Sequence, residues 1–295
     1  MVDTNTIVVG FDGSPTGVGA VGWAAAEAAQ RGSLVRVLVA ADYPGMPTPL
    51  RSGSWTPRLL QASAEGHLEE ALRIAGKRLP PGQVEGLVIT GKAAGVLVEA
   101  SRSAALVVTG NRSLGPARSA LLGSTSAITA TLAHCPVVVV RGAADPDASF
   151  TRPVAVGVTT SPHSVAALRF AASEAARRGV PLLLVAAWAM PAVESWDYAP
   201  WHNESLAGFA RALRTDAHAA VDEALATARS EYPQVDVRGH VVEVAPWAAL
   251  ETESRRAGLL VVGSRGTGGF EGLTLGSVAR AVLDHSRCPV TVVPR

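Results

Sequence analysis

The stretch IVVGFDGSPTGVGAVGWAAAEAAQRGSLVRVLVAADYP, residues 7–44, returns later in the chain as VAVGVTTSPHSVAALRFAASEAARRGVPLLLVAAWAMP, residues 154–191. The two stretches lie at an offset of 147 residues, and self-similarity of this kind indicates an internal repeat. The residues that are identical in the two stretches include Gly10, Ser14, Glu27 and Gly32. The chain of 295 residues is therefore predicted to contain two copies of one domain.

A second pair of matched segments extends the repeat toward the end of each copy. LVVTGNRSLGPARSALLGSTSA at 106–127 lies over LVVGSRGTGGFEGLTLGSVA at 260–279, with Gly110 matched to Gly263 at an offset of 153 residues. The second copy has therefore gained six residues between the two matched blocks. We expect domains at residues 1–142 and 153–295, joined by the polar linker 142–152.

Within each copy, apolar β-branched runs alternate with Ala-rich stretches. The predicted strands of the first copy are 5–11, 34–41, 84–89, 105–110 and 136–141, and its predicted helices are 15–31, 58–78, 93–102 and 124–133. The predicted strands of the second copy are 153–158, 182–188, 235–242, 259–263 and 289–293. This alternation indicates βαβ units, so each copy is predicted to be an α/β domain with a doubly wound parallel sheet.

Composition narrows the class of protein. Hydrophobic residues make up 48% of the chain and charged residues 17%, which suits strands covered by helices on both faces. The formal net charge is +1, so binding to nucleic acid or to an anionic membrane is not expected. The longest apolar runs fall short of the roughly 18 residues that a membrane span needs, and we expect a soluble, cytoplasmic protein. Cys135 and Cys288, at equivalent positions of the repeat, are interpreted as small buried hydrophobic residues.

A glycine-rich loop follows the fourth predicted strand of the second copy. Gly263 and Gly266 are separated by two residues, and Gly276 and Ser277 come after nine more, where a helix is predicted to begin. Glycines let backbone N–H groups approach an anion closely, and a helix N-terminus offers unpaired N–H donors and a favourable dipole. The spacing matches neither a Walker loop nor the dinucleotide fingerprint. It predicts a phosphate-binding loop of another kind.

These features resemble the universal stress protein family, and in particular its tandem-domain members. The resemblance is carried by VVGFDGSP at 8–15, by the glycine pattern at 263–277 and by the two Cys-Pro-Val strands, and it covers nearly the whole chain. It implies an adenine nucleotide alpha hydrolase-like fold with a five-stranded parallel sheet in each domain. In the ATP-binding branch of the family it also implies ATP, usually with a divalent metal such as Mg²⁺ or Mn²⁺. An acidic residue ends the first strand, the backbone ending the second strand meets adenine, and the glycine loop holds the triphosphate.

The resemblance transfers to this chain residue by residue. In the first copy it assigns Gly10, Asp12, Ser14, Ala40, Gly110, Arg112, Ser113, Gly123, Ser124 and Thr125 to the nucleotide site. In the second copy it assigns Gly157, Thr159, Ala187, Gly263, Arg265, Gly266, Gly276, Ser277 and Val278. Each copy departs from the family pattern once: Ser113 stands where a glycine is expected, and Thr159 stands where the acid is expected. We therefore expect the two sites to differ in affinity.

Structural roles compete with binding roles at several of these positions. Asp12 could have a structural role alone, in shaping the turn before the first helix. Arg112 and Arg265 could be solvated charges of a loop. A serine in place of the loop glycine is costly only if the backbone must have a positive φ. Trp188, like Trp196 and Trp201, is interpreted as a core or interface aromatic residue, with base stacking as the alternative.

The sequence favours a nucleotide-binding regulatory protein over an enzyme. No Gly-x-Ser-x-Gly elbow or His-Glu-x-x-His motif is present, so no catalytic residue is assigned, and no metal cage is expected from the seven histidines. A weak ATPase and a nucleotide-free interaction module of the same fold are the alternatives. The expected partners are an adenine nucleotide and a regulatory protein, and a homodimer is left open. The short final strands, 137–141 and 290–293, are expected to pair and form a pseudo-dimer within one chain.

Overall fold

The structure, a computed structural model, describes residues 5–41, 56–111, 122–141, 146–190, 202–266 and 275–294. The chain divides into two compact units, one formed by residues 1–150 together with 288–294 and the other by residues 151–287. Each unit is α/β, as predicted. The last strand of the second sequence copy is grouped with the first unit, a division that the repeat alone did not indicate.

The described elements of the first copy closely follow the predicted alternation. They are β1 (Thr6–Gly10), α1 (Pro15–Arg31), β2 (Leu34–Ala41), α2 (Thr56–Ala75), β3 (Val84–Thr90), α3 (Ala93–Ala100), β4 (Leu106–Gly110), α4 (Ser124–Leu132) and β5 (Val137–Val140). A short helix, α5 (Pro146–Thr151), occupies part of the segment that was predicted to be only a linker.

The second copy repeats this order. Its described elements are β6 (Val154–Gly157), α6 (Pro162–Arg178), β7 (Leu182–Trp188), α7 (His202–Glu231), β8 (Val237–Glu243), α8 (Pro246–Ser254), β9 (Leu259–Gly263), α9 (Ser277–His285) and β10 (Val290–Val293). Among the described residues, no helix is both long enough and apolar enough to cross a membrane.

The sheet of the first unit has the strand order β3-β2-β1-β4-β5-β10. Its first five strands are parallel, and β10 runs antiparallel to β5, with Thr291 opposite Val138. The predicted pairing of the two final strands is confirmed. The strand order reverses between β1 and β4, and in doubly wound sheets a ligand site lies at such a switch point, beyond the carboxyl ends of the strands.

Four strands of the second unit follow the order β9-β6-β7-β8 and are all parallel. Their registers repeat those of the first unit: Ile7 pairs with Val35 and Leu106, and Val154 pairs with Leu182 and Leu259. The offsets of 147 and 153 residues read from the sequence are therefore confirmed by strand pairing. Positions of the two copies can be compared one by one on this basis.

The helix that follows the first strand has the same boundaries in both copies because its capping residues are repeated. Ser14 is the N-cap of α1 and accepts a hydrogen bond from the Gly17 N–H, and Pro15 follows at the first helical position. Gly32 ends the helix with φ 64°, and the matched Gly179 ends α6 with φ 63°. A left-handed C-cap of this kind favours glycine. These caps fix the direction in which both copies enter the second strand.

Both cysteines are free and buried, which confirms the sequence-based interpretation. Burial raises the pKa of the Cys135 thiol to about 12. The thiol of Cys135 is therefore protonated at physiological pH and acts as a small apolar side chain.

Candidate functional site

A cavity of about 580 Å³ lies at the switch point of the first copy, above the carboxyl ends of β1, β2 and β4. Residues of α2 and the first turns of α3 and α4 close its other sides. Seven of the residues that the sequence assigned to the nucleotide site line it: Gly10, Asp12, Ala40, Gly110, Gly123, Ser124 and Thr125. We call it the strand-end cavity. Ser14 lies beside it as the N-cap of α1, whereas Arg112 and Ser113 fall outside the described residues.

Asp12 shapes the turn between β1 and α1. Its carboxylate Oδ1 accepts a hydrogen bond from the Ser14 N–H at 3.1 Å, an Asx-type arrangement. In the second copy the hydroxyl of Thr159 accepts from the Ser161 N–H at 3.2 Å and fills the same role. A neutral side chain is thus sufficient for the turn. The negative charge of Asp12, an exposed residue on the cavity wall, is more than the turn requires.

Gly110 brings β4 close to the start of α1. A Cβ atom at this position would lie 2.7 Å from the backbone of Thr16, which is too short for any real contact. The Gly110 carbonyl accepts a hydrogen bond from the Ser126 hydroxyl at 2.8 Å, and the Asn111 side chain accepts one from the Gly123 N–H at 3.1 Å. These two bonds tie the start of α4 to the end of β4 and so fix the floor of the cavity.

The first turn of α4 lines the cavity. Its N-cap is Gly123, which provides no side-chain cap, and the helix begins at Ser124 as the sequence predicted. The first N–H groups of a helix have no intrahelical acceptor, and the helix dipole favours negative charge there. Helix α3 also begins at the cavity: its N-cap, the exposed Lys92, provides no side-chain cap, and Lys92 and the next two residues line the wall. The arrangement suits an anionic ligand.

Four further residues of the wall were not singled out from the sequence. His67 reaches the cavity from α2 and packs edge-to-face on Phe11, with ring centroids 6.3 Å apart. Ala41, Lys92 and Thr109 also line the wall. His67 could not have been found by strand-end reasoning, because it lies in the middle of a helix. Thr109 and Ala41 lie beside predicted residues, and comparing the two copies position by position was the available signal.

The second copy carries different side chains at the matched positions. Thr159 replaces Asp12, Trp188 replaces Ala41, Ala220 replaces His67, Ala245 replaces Lys92 and Val262 replaces Thr109. Trp188 is 9% exposed, so its indole ring is packed inside the second copy where the first has only a methyl group. Trp188 is thus a core residue, as the sequence indicated, whereas Trp196 and Trp201 lie outside the described residues. The second copy therefore lacks most of the polar side chains that line the cavity of the first copy.

The remaining predicted residues of the second copy lie at their expected places in the fold. Gly157 and Gly263 end β6 and β9, Ala187 lies in β7, Arg265 and Gly266 follow β9, Gly276 is the N-cap of α9, and Ser277 and Val278 begin that helix. The Gly276 N–H donates to the Ser264 carbonyl at 2.9 Å, so a backbone oxygen does here what the Asn111 side chain does in the first copy. The second copy thus preserves a hydrogen bond between the N-cap of this helix and the residue that follows the fourth strand.

Gly266, the counterpart of Ser113, does not need to be glycine for backbone reasons. It is not among the glycines with positive φ, and a Cβ atom built on it meets no atom of the described residues within 4 Å. A serine at this point of the loop is therefore neither strained nor crowded in the second copy. Ser113 itself falls outside the described residues, but its counterpart gives no backbone reason why the loop needs glycine there.

No group of three or more His, Cys, Asp or Glu side chains is placed to hold a metal ion within the part of the chain that the structure describes.

Comparison with known proteins gives a consistent match over both copies. Residues 4–141 and 151–294 each match the model of the universal stress protein family. A universal stress protein of Mycobacterium tuberculosis is 36% identical over 299 residues, which cover 97% of this chain and 96% of that protein. One from Mycolicibacterium smegmatis is 34% identical over 304 residues, 97% of this chain and 96% of its own.

The fold also matches a solved structure at full length. The crystal structure of a universal stress protein from Archaeoglobus fulgidus superposes with a TM-score of 0.71 and covers 99% of both chains. Its sequence identity is 19%, so this likeness concerns the fold alone. The α/β architecture with two repeats is shared along the whole chain.

Proposed function

The chain belongs to the universal stress protein family, and from this premise we propose that it is an ATP-binding regulatory protein whose nucleotide site is the strand-end cavity of the first copy. The observation that carries the proposal is the cavity itself. It brings together seven residues that were assigned from separate parts of the sequence, and its volume of about 580 Å³ suits a small-molecule ligand.

The two ends of the cavity differ in chemistry, and this polarity supports one orientation of the nucleotide. The start of α4, with Gly123 as N-cap, offers backbone N–H donors to phosphate oxygens. Ala40, at the end of β2, offers backbone groups to the edge of the adenine ring. The carboxylate of Asp12 can accept hydrogen bonds from ribose hydroxyls, which would use the charge that the turn does not need.

A metal ion would enter this site with the phosphates. Mg²⁺ or Mn²⁺ neutralises phosphate charge when bound, and the protein side of the site supplies N–H donors rather than a set of carboxylates. The residues present thus bind and orient a nucleotide, and we assign none of them a catalytic role. The proposed output is regulatory: nucleotide occupancy biases the protein's interactions with partners during the stress response.

The proposal is tested by calorimetric titration of the wild-type protein and of Asp12→Asn with ATP and MgCl₂. Asparagine keeps an oxygen for the Ser14 N–H and preserves the turn but removes the charge. We expect the wild type to bind ATP and the variant to bind it about tenfold or more weakly, because a charge-assisted hydrogen bond contributes roughly 1.5–3 kcal/mol. Phosphate release measured in the same samples checks for hydrolysis.

Two results would contradict the proposal. Absence of binding to the wild type at millimolar ATP would favour the nucleotide-free interaction module. Equal affinity of the wild type and Asp12→Asn would remove Asp12 from the site. Release of phosphate that Asp12→Asn abolishes would instead favour the weak ATPase.

A further inference from the structure

Thr109 carries a buried hydroxyl group with no internal hydrogen-bond partner. The residue is 4% exposed, and its Oγ1 atom forms no hydrogen bond with any described residue. Leaving a buried hydroxyl unpaired costs about 1–3 kcal/mol, so such groups normally have a partner. Thr109 also lines the strand-end cavity. A ligand in that cavity is the natural partner for this hydroxyl.

The strand register shows on which side of the sheet the hydroxyl lies. Residues 7–9 of β1 pair with 106–108 of β4, so Thr109 comes next to Gly10 and shares its face of the sheet. A Cβ atom on Gly10 would lie 2.9 Å from the Leu97 side chain, which identifies this as the face covered by α3. The Leu97 side chain thus packs directly over Gly10 and gives Thr109 an apolar neighbour. Gly10, Leu97 and Thr109 all line the strand-end cavity, so a ligand there lies beside this hydroxyl.

We propose that the Thr109 hydroxyl hydrogen-bonds the nucleoside part, base or ribose, of the nucleotide in the strand-end cavity. This inference rests on the proposed function and adds a ligand contact that the glycine pattern does not contain. The nucleoside is the expected partner because Thr109 is deeply buried beside Gly10 and Leu97, and moving phosphate charge into such surroundings is costly. The phosphates belong at the exposed start of α4, near Ser124.

The chain provides a matched control for this contact. Thr291 of β10 also has a fully buried hydroxyl without a partner among the described residues, and it does not line the cavity. Both threonines have a valine at the matched position of the other copy, Val262 for Thr109 and Val138 for Thr291. Valine keeps the shape of threonine and removes only the hydroxyl. Thr109→Val and Thr291→Val therefore make the same chemical change, inside and outside the cavity.

The test is calorimetric titration of the wild type and of both variants with AMP, ADP and ATP in the presence of MgCl₂. We expect Thr109→Val to bind all three nucleotides about five- to tenfold more weakly, by the same factor for each, because the nucleoside is common to them. Thr291→Val should bind as the wild type does. Without nucleotide, both variants should have thermal midpoints equal to or above that of the wild type, since each loses an unpaired buried hydroxyl.

The outcomes separate this inference from the proposed function. Wild-type binding that is unchanged in Thr109→Val overturns the contact and leaves the proposed function standing. A loss that grows with the number of phosphates, or an equal loss in Thr291→Val, also overturns it. A lower thermal midpoint in Thr109→Val alone would indicate a structural hydroxyl. If the wild type binds none of the three nucleotides, the proposed function fails and the contact fails with it.

Discussion

The two copies have the same strand registers and the same cap residues on the helix that follows the first strand, but they differ in the space above their strand ends. In the first copy this space is a cavity with small and polar residues on its wall, among them Ala41 and Thr109. In the second copy the matched residues are Trp188 and Val262, both buried. The first and last glycines of the loop survive in both copies, Gly110 and Gly123 in the first and Gly263 and Gly276 in the second. The duplication has thus kept the elements that define the fold, while the side chains that would contact a ligand have diverged.

This difference bears on which of the two departures from the family pattern has the larger effect on the proposed nucleotide site. Each copy departs from the family pattern at one residue, Ser113 in the first and Thr159 in the second, and from the sequence alone the two departures are comparable. Gly266, the counterpart of Ser113, has no positive φ that would require glycine. The second copy has lost the carboxylate and has also placed an indole ring beside the end of β7. For this reason the proposed nucleotide site is that of the first copy.

The largest effect is expected from Trp188→Ala. If the indole fills space that the first copy leaves open, its removal creates a void in the second copy and lowers the free energy of unfolding by about 3–5 kcal/mol. Urea unfolding followed by circular dichroism measures the change. The control is Trp247→Ala: Trp247 is 43% exposed and contacts His285, so about 1 kcal/mol is expected. Equal losses in the two variants would show that Trp188 is not a space-filling residue.

The reciprocal change, Ala41→Trp, places the residue of the second copy in the first. An indole ring at this position is expected to obstruct the strand-end cavity and to weaken ATP binding by a factor of about 100 or more, as measured by calorimetry. Ala41→Ser, which adds a single atom, should retain most of the affinity. Circular dichroism and the thermal midpoint establish that both variants are folded. A folded Ala41→Trp protein with wild-type affinity would place the nucleotide elsewhere.

The smallest effect is expected from Gly266→Ser, which gives the second copy the loop residue of the first. Because φ is not positive and nothing crowds the site, the free energy of unfolding should change by less than about 0.5 kcal/mol. Gly110→Ala is the contrasting variant: its Cβ would collide with the Thr16 backbone, and a loss of about 1–3 kcal/mol is expected. A large loss in Gly266→Ser would mean that Ser113 is strained after all.

Most of the fold could be predicted because the cap residues, the apolar runs and the repeat offsets all indicated the same helices and strands. The helix from Pro15 to Arg31 begins after a serine and ends at a glycine, and the structure has the predicted boundaries. The β-branched runs became strands within one or two residues, and the offsets of the repeat fixed their registers. The short helix from Pro146 to Thr151 was missed because a helix of six residues is too short to show helical periodicity. The grouping of β10 with the first unit depends on a contact between distant parts of the chain.

The candidate site could be predicted only where it follows the strand ends. Asp12, Ala40 and Gly110 come directly from that rule, and they do line one cavity. His67 reaches the cavity from the middle of α2, where its sequence neighbours give no indication of its direction. Thr109 looked like one more residue of a buried strand. Its significance is that a polar atom is buried without a partner, which is a property of packing and not of sequence pattern.

The central claim is that one copy binds nucleotide and the other does not. Counting the nucleotides bound to each chain tests it most directly. Native mass spectrometry of the wild type and of Ala41→Trp with ATP and MgCl₂ reports the number of nucleotides bound to each chain. We predict one nucleotide per chain for the wild type and none for Ala41→Trp. Two nucleotides bound with equal affinity would contradict the claim by assigning binding to both copies. A single nucleotide that remains in Ala41→Trp would contradict it by assigning binding to the second copy.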